Sequence, residues 1–317
     1  MRAVPMRICI ASKFPPIEGG IASRTYWRVR ELLEQGHEVT VVTNAECVES
    51  EYRIDGCTPH LRELSARWPL RIVNVSTDPP RHIPSSPDYL TRLSSLLIDV
   101  LGEEAFDVIE SGFLLPYGIA AHMAAQARGV PHVLRHGASD LTKFLVHPEY
   151  RPLLEIVIRG ADSVVTDERH APIFRDLGVA CDVEPVYCVR ANAFQRAERP
   201  GSGDRRVYGA VGKINYHWRR KGLDEVVDWF ARQDRSQVDL RVVGQGIGAS
   251  DFAAWATARL GHDLVIHPFV PPWEMPSLLS EIDAVFCLSV GDPIAADSML
   301  RIECEAMGVE VVDTLPR

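Results

Sequence analysis

The chain has 317 residues, 46% of them apolar and 24% charged, with a formal net charge of −9, and is long enough for two ordinary globular domains. An acidic balance spread over both halves excludes a general nucleic-acid binder, which would carry a basic face or stripe. Seven scattered cysteines form no CxxC pair, and no apolar run approaches the roughly 18 residues that span a bilayer, so a cytoplasmic protein with reduced thiols is expected.

From the amino terminus, "RICIAS" (Arg7–Ser12) predicts a strand, "KFPPIEGG" a loop, and the stretch from about Ile21 to Gln35 a helix. "HEVTVVT" (His37–Thr43) is the next strand, and "RIVNV", "FDVIES", "PHVLRHG" and "DSVVTD" continue the series, with helices between most of them. Continuous β-branched runs of this kind suit a parallel sheet buried on both faces. Residues 45–70 and 75–90 are polar and contain proline, and are expected to be loops or an excursion. Near Asn192 the alternation stops. "NAFQRAERPGSGDRR" has the composition of a linker and places the domain boundary at residues 195/196. A second series follows: "VYGAVGKI", helix "LDEVVDWFARQ", "VDLRVVGQG", helix "SDFAAWATARL", "DLVIHPFV", helix "WEMPSLLSEI", "DAVFCLSV", helix "SMLRIECEAMG" and "VEVVDT". Two doubly wound α/β domains follow from this alternation, with ligands expected at the carboxyl ends of strands.

The loops at those ends hold the informative residues. "VVGQGIGA" fits G-x-G-x-x-A, but the next strand, "DLVIHPFV", ends without the acid a dinucleotide ribose needs. Its glycines therefore make a tight turn where backbone approaches a ligand or packs closely. Gly19-Gly20, before a helix start, suits either an anion held by backbone N–H groups or a turn with positive φ. Lys213, Arg219, Arg220 and Lys221 lie between a strand and a helix, as a solvated loop or as partners for a diphosphate. Trp218 either packs the loop or covers a ligand. His136 and Gly137 follow a strand end, and Asp297 and Glu305 stand eight apart beyond another. Around "SRTYWRVR" (Ser23–Arg30) a basic, aromatic surface for membrane contact is conceivable, but Trp27 and Val29 are more simply core residues, so membrane contact is not indicated.

In this order, the Gly-Gly loop, "GHEVTVVT", a strand ending in "HG", "VG(K)…KG", "VVGQG" and an acid-x7-Glu-Ala-Met segment resemble the retaining nucleotide-sugar glycosyltransferases of family 4, from Arg7 to about Thr314. The resemblance implies the GT-B fold: two Rossmann-like domains facing each other across a cleft, 1–195 binding the acceptor and 196–317 the nucleotide-sugar. It implies that Gly19 and Gly20 approach the donor's distal phosphate and the acceptor, and that His136 contacts the transferred sugar. Lys213 occupies the place of an arginine, and Lys221, followed by Gly222, binds the diphosphate. Val270 falls where backbone reads the nucleobase. Asp297 takes the place of the first glutamate of the family, and Glu305 matches the second, which accepts from the ribose diol. The sequence departs from the pattern in that Asp297 is a methylene short, Lys213 lacks the bidentate fork that Arg219 or Arg220 would replace, and the spacing from Lys213 to Lys221 is two longer than common; the resemblance also implies a terminal helix after Thr314, so the second domain is expected to be either cut or naturally short.

The implied reaction is transfer of a hexose from a nucleoside-diphosphate sugar, with UDP or GDP as the nucleotide, to a small-molecule, glycan or lipid-linked acceptor hydroxyl or amine. Retention at the anomeric carbon is expected, by a front-face route in which a diphosphate oxygen helps take the acceptor proton. The leaving group is stabilised by Lys221, Lys213 or Arg219, without a metal or a further cofactor. The rival from another class is a weak or inactive relative that holds a nucleotide or a partner without turnover. A sugar-nucleotide epimerase fits the acid-x7-Glu-Ala-Met segment less well.

Overall fold

The computed structural model describes residues 4–76, 79–81, 86–137, 140–185, 192–196, 205–288 and 298–316. Two compact units divide it: Met1–Ile17, Ile21–Glu49 and Gly56–Val186 form the first, and Glu18–Gly20, Ser50–Asp55 and Tyr187–Arg317 the second.

The first unit is built on β1 (Arg7–Ala11), β2 (Glu38–Thr43), β3 (Leu70–Asn74), β4 (Val108–Ser111), β5 (His132–Arg135), β6 (Ser163–Thr166) and β7 (Asp182–Val183). They pair in parallel in the order β3-β2-β1-β4-β5-β6-β7. The order reverses between β1 and β4, so the loops leaving those strands diverge and open a crevice at their carboxyl ends. The central strands β1 and β2 are buried along nearly their whole length because helices cover both faces. α1 (Gly20–Glu34) buries Ala22, Tyr26, Trp27, Val29, Leu32 and Leu33, at the spacing of one helical face, so Trp27 and Val29 are core residues. α3 (Pro87–Glu103) starts with Ser86 accepting from the Tyr89 N–H, a side-chain cap for a donor that has no partner within the helix. It buries Leu93, Leu97, Val100 and Leu101.

The stretch 45–70, expected to be loop, contains α2 (Cys57–Arg67). Cys57, Leu61 and Leu64 are its buried residues, an i, i+4, i+7 stripe too short to stand out from the polar surroundings. α4 (Ile119–Arg128), α5 (Arg151–Gly160) and α6 (Ala171–Asp176) complete the unit.

The second unit carries β8 (Arg206–Val211), α7 (Leu223–Phe230), β9 (Val238–Val243), α8 (Ala249–Leu260), β10 (Ile266–His267), α9 (Met275–Ser280), β11 (Ala284–Phe286), α10 (Met299–Met307) and β12 (Glu310–Val312). Its parallel sheet runs β10-β9-β8-β11-β12, with the reversal between β8 and β11. The core gathers Tyr208, Trp229 and Phe286 with Trp218 and with Phe252 and Leu260 of α8. Cys9 and Cys287 are buried, and burial pushes their thiols up to about 12 and about 11, so they serve as small hydrophobes. Among the described residues no helix is long and apolar enough to cross a membrane.

Candidate functional site

In the second unit the glycines of "VVGQGIG" settle the open alternative in favour of packing. A Cβ at Gly244 would stand 2.1 Å from the Gly212 carbonyl oxygen, and one at Gly248 would stand 2.2 Å from that of Asn215. The loops leaving β8 and β9 are zipped together: the Gly212 N–H donates to Val243 O (2.9 Å), the Ile214 N–H to Gln245 O (2.8 Å) and the Gly248 N–H to Ile214 O (2.9 Å). Only residues without a side chain allow two backbones so close.

Lys213 sits between two of those bonds, so its backbone is fixed. Lys221 Nζ donates to Lys213 O at 2.6 Å, and the Lys213 ammonium lies 4.9 Å from the Tyr52 ring centroid. Gly19, with φ +123°, has the Lys213 Cε 3.1 Å from where a Cβ would be. The structure thus brings Gly19, Lys213 and Lys221 together. Arg219 is exposed, its guanidinium 4.0 Å from the centroid of Trp218. Stacking engages the face of the guanidinium and leaves its N–H groups pointing outward in the plane. Trp218 is fully buried, donates to Asp251 (3.1 Å) and packs on Phe252 and Trp255. It packs the loop.

Glu305 is exposed on α10, with Arg301 one turn earlier at 4.0 Å. Gly20 approaches the same helix, since a Cβ there would meet the Met299 Sδ at 3.3 Å. Val270 follows β10 in the loop before α9, half-buried. Asp297 lies outside the described residues.

In the first unit His136 stands one residue past β5, buried, its Nε2 2.8 Å from the Thr166 hydroxyl. Burial, then the charge of Arg24, pushes its imidazole down to about 3, so it is neutral at physiological pH and acts as a hydrogen-bonding group rather than an acid. Arg24 on α1 donates through one Nη2 to Gly112 O (3.0 Å) and His136 O (2.8 Å), tying α1 to the exits of β4 and β5. Asp140 accepts from the Gly137 and Leu114 N–H groups at 2.8 and 2.9 Å. Burial raises its carboxyl to about 7, against the pull of those N–H groups and of Arg24.

Beside His136 lies a pair the sequence reading missed. Asp167, one residue past β6, accepts from the His170 N–H (3.0 Å) and from His170 Nδ1 (2.7 Å). The rings of His136 and His170 meet edge to face at 5.5 Å and 78°. Burial alone would raise the Asp167 carboxyl, but the hydrogen bonds and charge of His170 hold it below the usual range. His136, Asp167 and His170 offer donor atoms within 4.8 Å of one another, a separation a metal ion could bridge. Both Asp167 oxygens are already engaged by His170, however, which makes this a carboxylate–imidazole pair before it is a ligand set. The rule that singled out His136, position at the carboxyl end of a strand, applies equally to Asp167 in "SVVTDERH".

Comparison with known proteins now bears on this arrangement. A family model described as a glycosyl transferase 4-like domain matches residues 19–180. The chain belongs to that family. Among solved structures it is similar to sucrose-phosphate synthase from Thermosynechococcus elongatus, at TM-score 0.70 and 16% identity, over 97% of this chain and 81% of the other. The Anabaena protein Alr3699/HepE, crystallised with UDP and glucose, aligns at TM-score 0.66 and 15% identity, over 97% and 80%. The lipopolysaccharide outer core galactosyltransferase WaaB in its apo form aligns at TM-score 0.55 and 15% identity, also over 97% and 80%. No curated protein sequence matches. With its two parallel sheets, this glycosyl transferase 4-like chain has the GT-B fold.

Proposed function

We propose that this chain transfers a sugar from a nucleoside-diphosphate sugar to an acceptor hydroxyl or amine, with retention at the anomeric carbon and without a metal. The observation that carries the reading is the placement of Lys213 and Lys221 on one glycine-fixed loop at the carboxyl end of β8. Cations there, with Arg219 stacked beside them, suit the two phosphates of a leaving group. An ammonium has three donors, so the bond from Lys221 to Lys213 O orients the group without neutralising it.

In this mechanism the bond from the anomeric carbon to the diphosphate oxygen breaks, and negative charge grows on that oxygen. Preorganised positive charge at this point is the largest stabilisation such a site can supply. Glu305, exposed on α10, accepts from the ribose hydroxyls, for which two carboxylate oxygens suit two vicinal donors. Gly19 and Gly20 let backbone approach the distal phosphate, Val270 reads the base by its backbone, and His136, neutral and tied to Thr166, contacts the sugar. That Alr3699/HepE was crystallised with UDP and glucose makes UDP the first nucleotide to try.

The test is release of diphosphate and transfer of labelled glucose from UDP-, GDP-, ADP- and dTDP-glucose, with simple sugars as acceptors. Turnover of one donor that Lys221→Ala lowers by about a hundredfold supports the reading, since one charge-stabilising contact is worth roughly that. Turnover that Lys221→Ala leaves unchanged contradicts the assignment of the diphosphate site.

A further inference from the structure

We infer that the outward face of α5, in the first unit, pairs with the same face of a second copy of this chain, the two helices running antiparallel. Val146 is 66% exposed, Tyr150 44%, Leu153 47% and Ile156 62%, and Pro152 among them is exposed as well. Among the described residues no other stretch of that length exposes as many large apolar side chains. Single exposed apolar residues are ordinary, but a contiguous set marks a surface that something covers. The helix does not need them for its own packing. Leu154, Val157 and Ile158 are its buried residues, and a Cβ on Gly160 would stand 2.4 Å from the His122 ring of α4, so the inner face is filled. Tyr150 already has helical backbone, and its carbonyl accepts from the Leu154 N–H at 3.1 Å. Tyr150, Leu153 and Ile156 therefore follow one another at successive turns along one side.

The charges decide what covers the stripe. Arg151 donates to Glu155 at 2.6 Å, and Arg159 lies 3.3 Å from the same carboxylate. The flank of the stripe thus reads plus, minus, plus at intervals of one turn. An anionic lipid surface calls for a rim of unpaired basic groups. Here both arginines of the flank share a carboxylate, and Glu149 is exposed just before the helix. A row of alternating sign is answered by the same row inverted. Turned about a twofold axis at Leu153, a copy sets the partner's Leu153 against Leu153, the partner's Tyr150 against Ile156, and the partner's Arg151 against Glu155. In an antiparallel pair the same flank of both helices comes together, and the twofold makes each contact twice. A parallel pair in register would set like charge against like.

Stripe and flank together supply fewer than the roughly 20–30 residues a side of a standard interface. The dimer is therefore expected to be weak, with a Kd in the micromolar range. Its apolar centre of Tyr150, Leu153 and Ile156 supplies the attraction. The exposed charge pairs contribute little energy and set the orientation. None of these side chains is among those assigned to the reaction.

Sedimentation velocity of the full chain, over a concentration series that crosses the micromolar range, measures the equilibrium. Ile156→Glu, Arg151→Glu and Glu155→Arg are run beside the parent chain, and melting points establish that each is folded. The parent is expected to pass from monomer to dimer as concentration rises. Ile156→Glu sets a carboxylate in the apolar centre and is expected to raise Kd at least about tenfold, as loss of an interface anchor does. Arg151→Glu faces glutamate with glutamate, and Glu155→Arg faces arginine with arginine, so each alone is expected to dimerise more weakly than the parent. Mixed in equal amounts, the two are expected to form a heterodimer tighter than either homodimer, because every glutamate of one then meets an arginine of the other. No change confined to one chain produces that recovery. A parent chain that stays monomeric throughout overturns the inference. So does a dimer that Ile156→Glu leaves intact, since its contact lies elsewhere, and so does a mixture no tighter than the separate variants. Binding of a monomeric chain to vesicles of phosphatidylglycerol and phosphatidylcholine, lost in Ile156→Glu, overturns it in favour of a lipid surface.

Discussion

Replacing Gly244 with alanine would set a methyl group 2.1 Å from the Gly212 carbonyl oxygen, against backbone that has no rotamer to change. The loops leaving β8 and β9 would have to part by about 1 Å, the difference from an ordinary carbon–oxygen contact. That strains the bonds from Gly212 to Val243 and from Ile214 to Gln245. Overpacking of this kind costs about 1–3 kcal/mol and each lost backbone bond about 1 kcal/mol, so a loss of about 3–5 kcal/mol is expected. At about 3 °C per kcal/mol for a domain of this size, the transition of the second unit should fall by about 10–15 °C in a calorimetric scan. Gly261 supplies the control. Its φ is +73° and nothing lies within 4 Å of a Cβ placed there, so Gly261→Ala should cost only the left-handed backbone, about 1–2 kcal/mol. The same displacement strains the Gly212 and Ile214 bonds that flank and anchor Lys213, so diphosphate affinity should fall in Gly244→Ala and not in Gly261→Ala. Equal losses of stability in the two variants would refute the claim that these glycines are required by close backbone packing.

Further outcomes are expected from the buried charges. The unfolded His132 ring takes a proton near pH 6.5, whereas burial, then the charge of His122, holds the folded ring down to about 4. Stability is therefore lost as pH falls through that window, about 2 kcal/mol between pH 7.5 and 5.0. His136, pushed down to about 3, adds a similar loss, and urea unfolding at the two pH values measures the sum. Glu110, buried in β4, accepts from Arg28 (2.8 Å) and Arg135 (3.2 Å). Glu110→Gln leaves two cations facing each other and should cost about 3–5 kcal/mol, whereas Glu103→Gln, removing an exposed partner of Arg71 that solvent screens, should have a far smaller effect. Equal effects in denaturant titration would contradict the structure. Gly19→Ala, at φ +123° with Lys213 in contact, should lose about 1–3 kcal/mol from backbone strain alone, read as a lower melting point.

Most of the architecture was legible because parallel strands buried on both faces leave continuous apolar runs, and these ran from "RICIAS" to "VEVVDT" in the expected order. What was not legible follows from length and polarity. α2 shows only three buried residues in eleven positions, and β7 is two exposed residues paired with the edge of β6, so neither has a pattern to read. At the candidate site, His136 and Lys213 were candidates because each follows a recognisable apolar run, and Lys221 because it lies in the cationic loop between β8 and α7. The roles of Trp218 and of the glycines after β9 needed three-dimensional distances, since a buried indole and a ligand-covering one have the same sequence. Asp167 and His170 went unread although they obey the strand-end rule, because their chemistry lies in a hydrogen bond between two residues three apart within a turn. Arg24 was hidden for another reason: it sits on a helix that reads as ordinary amphipathic surface, and only the fold turns it toward the exits of β4 and β5.

The most direct measurement of the central claim is calorimetric titration of the chain with UDP, GDP, ADP and dTDP, repeated on Lys221→Ala and Glu305→Ala. The account predicts that one of these diphosphates binds and raises the melting point as a ligand of the folded state must. It predicts further that Lys221→Ala, losing the phosphate contact, and Glu305→Ala, losing the ribose contact, each weaken that binding at least about tenfold, or 1.4 kcal/mol. Binding of no diphosphate, or binding indifferent to both substitutions, would contradict it.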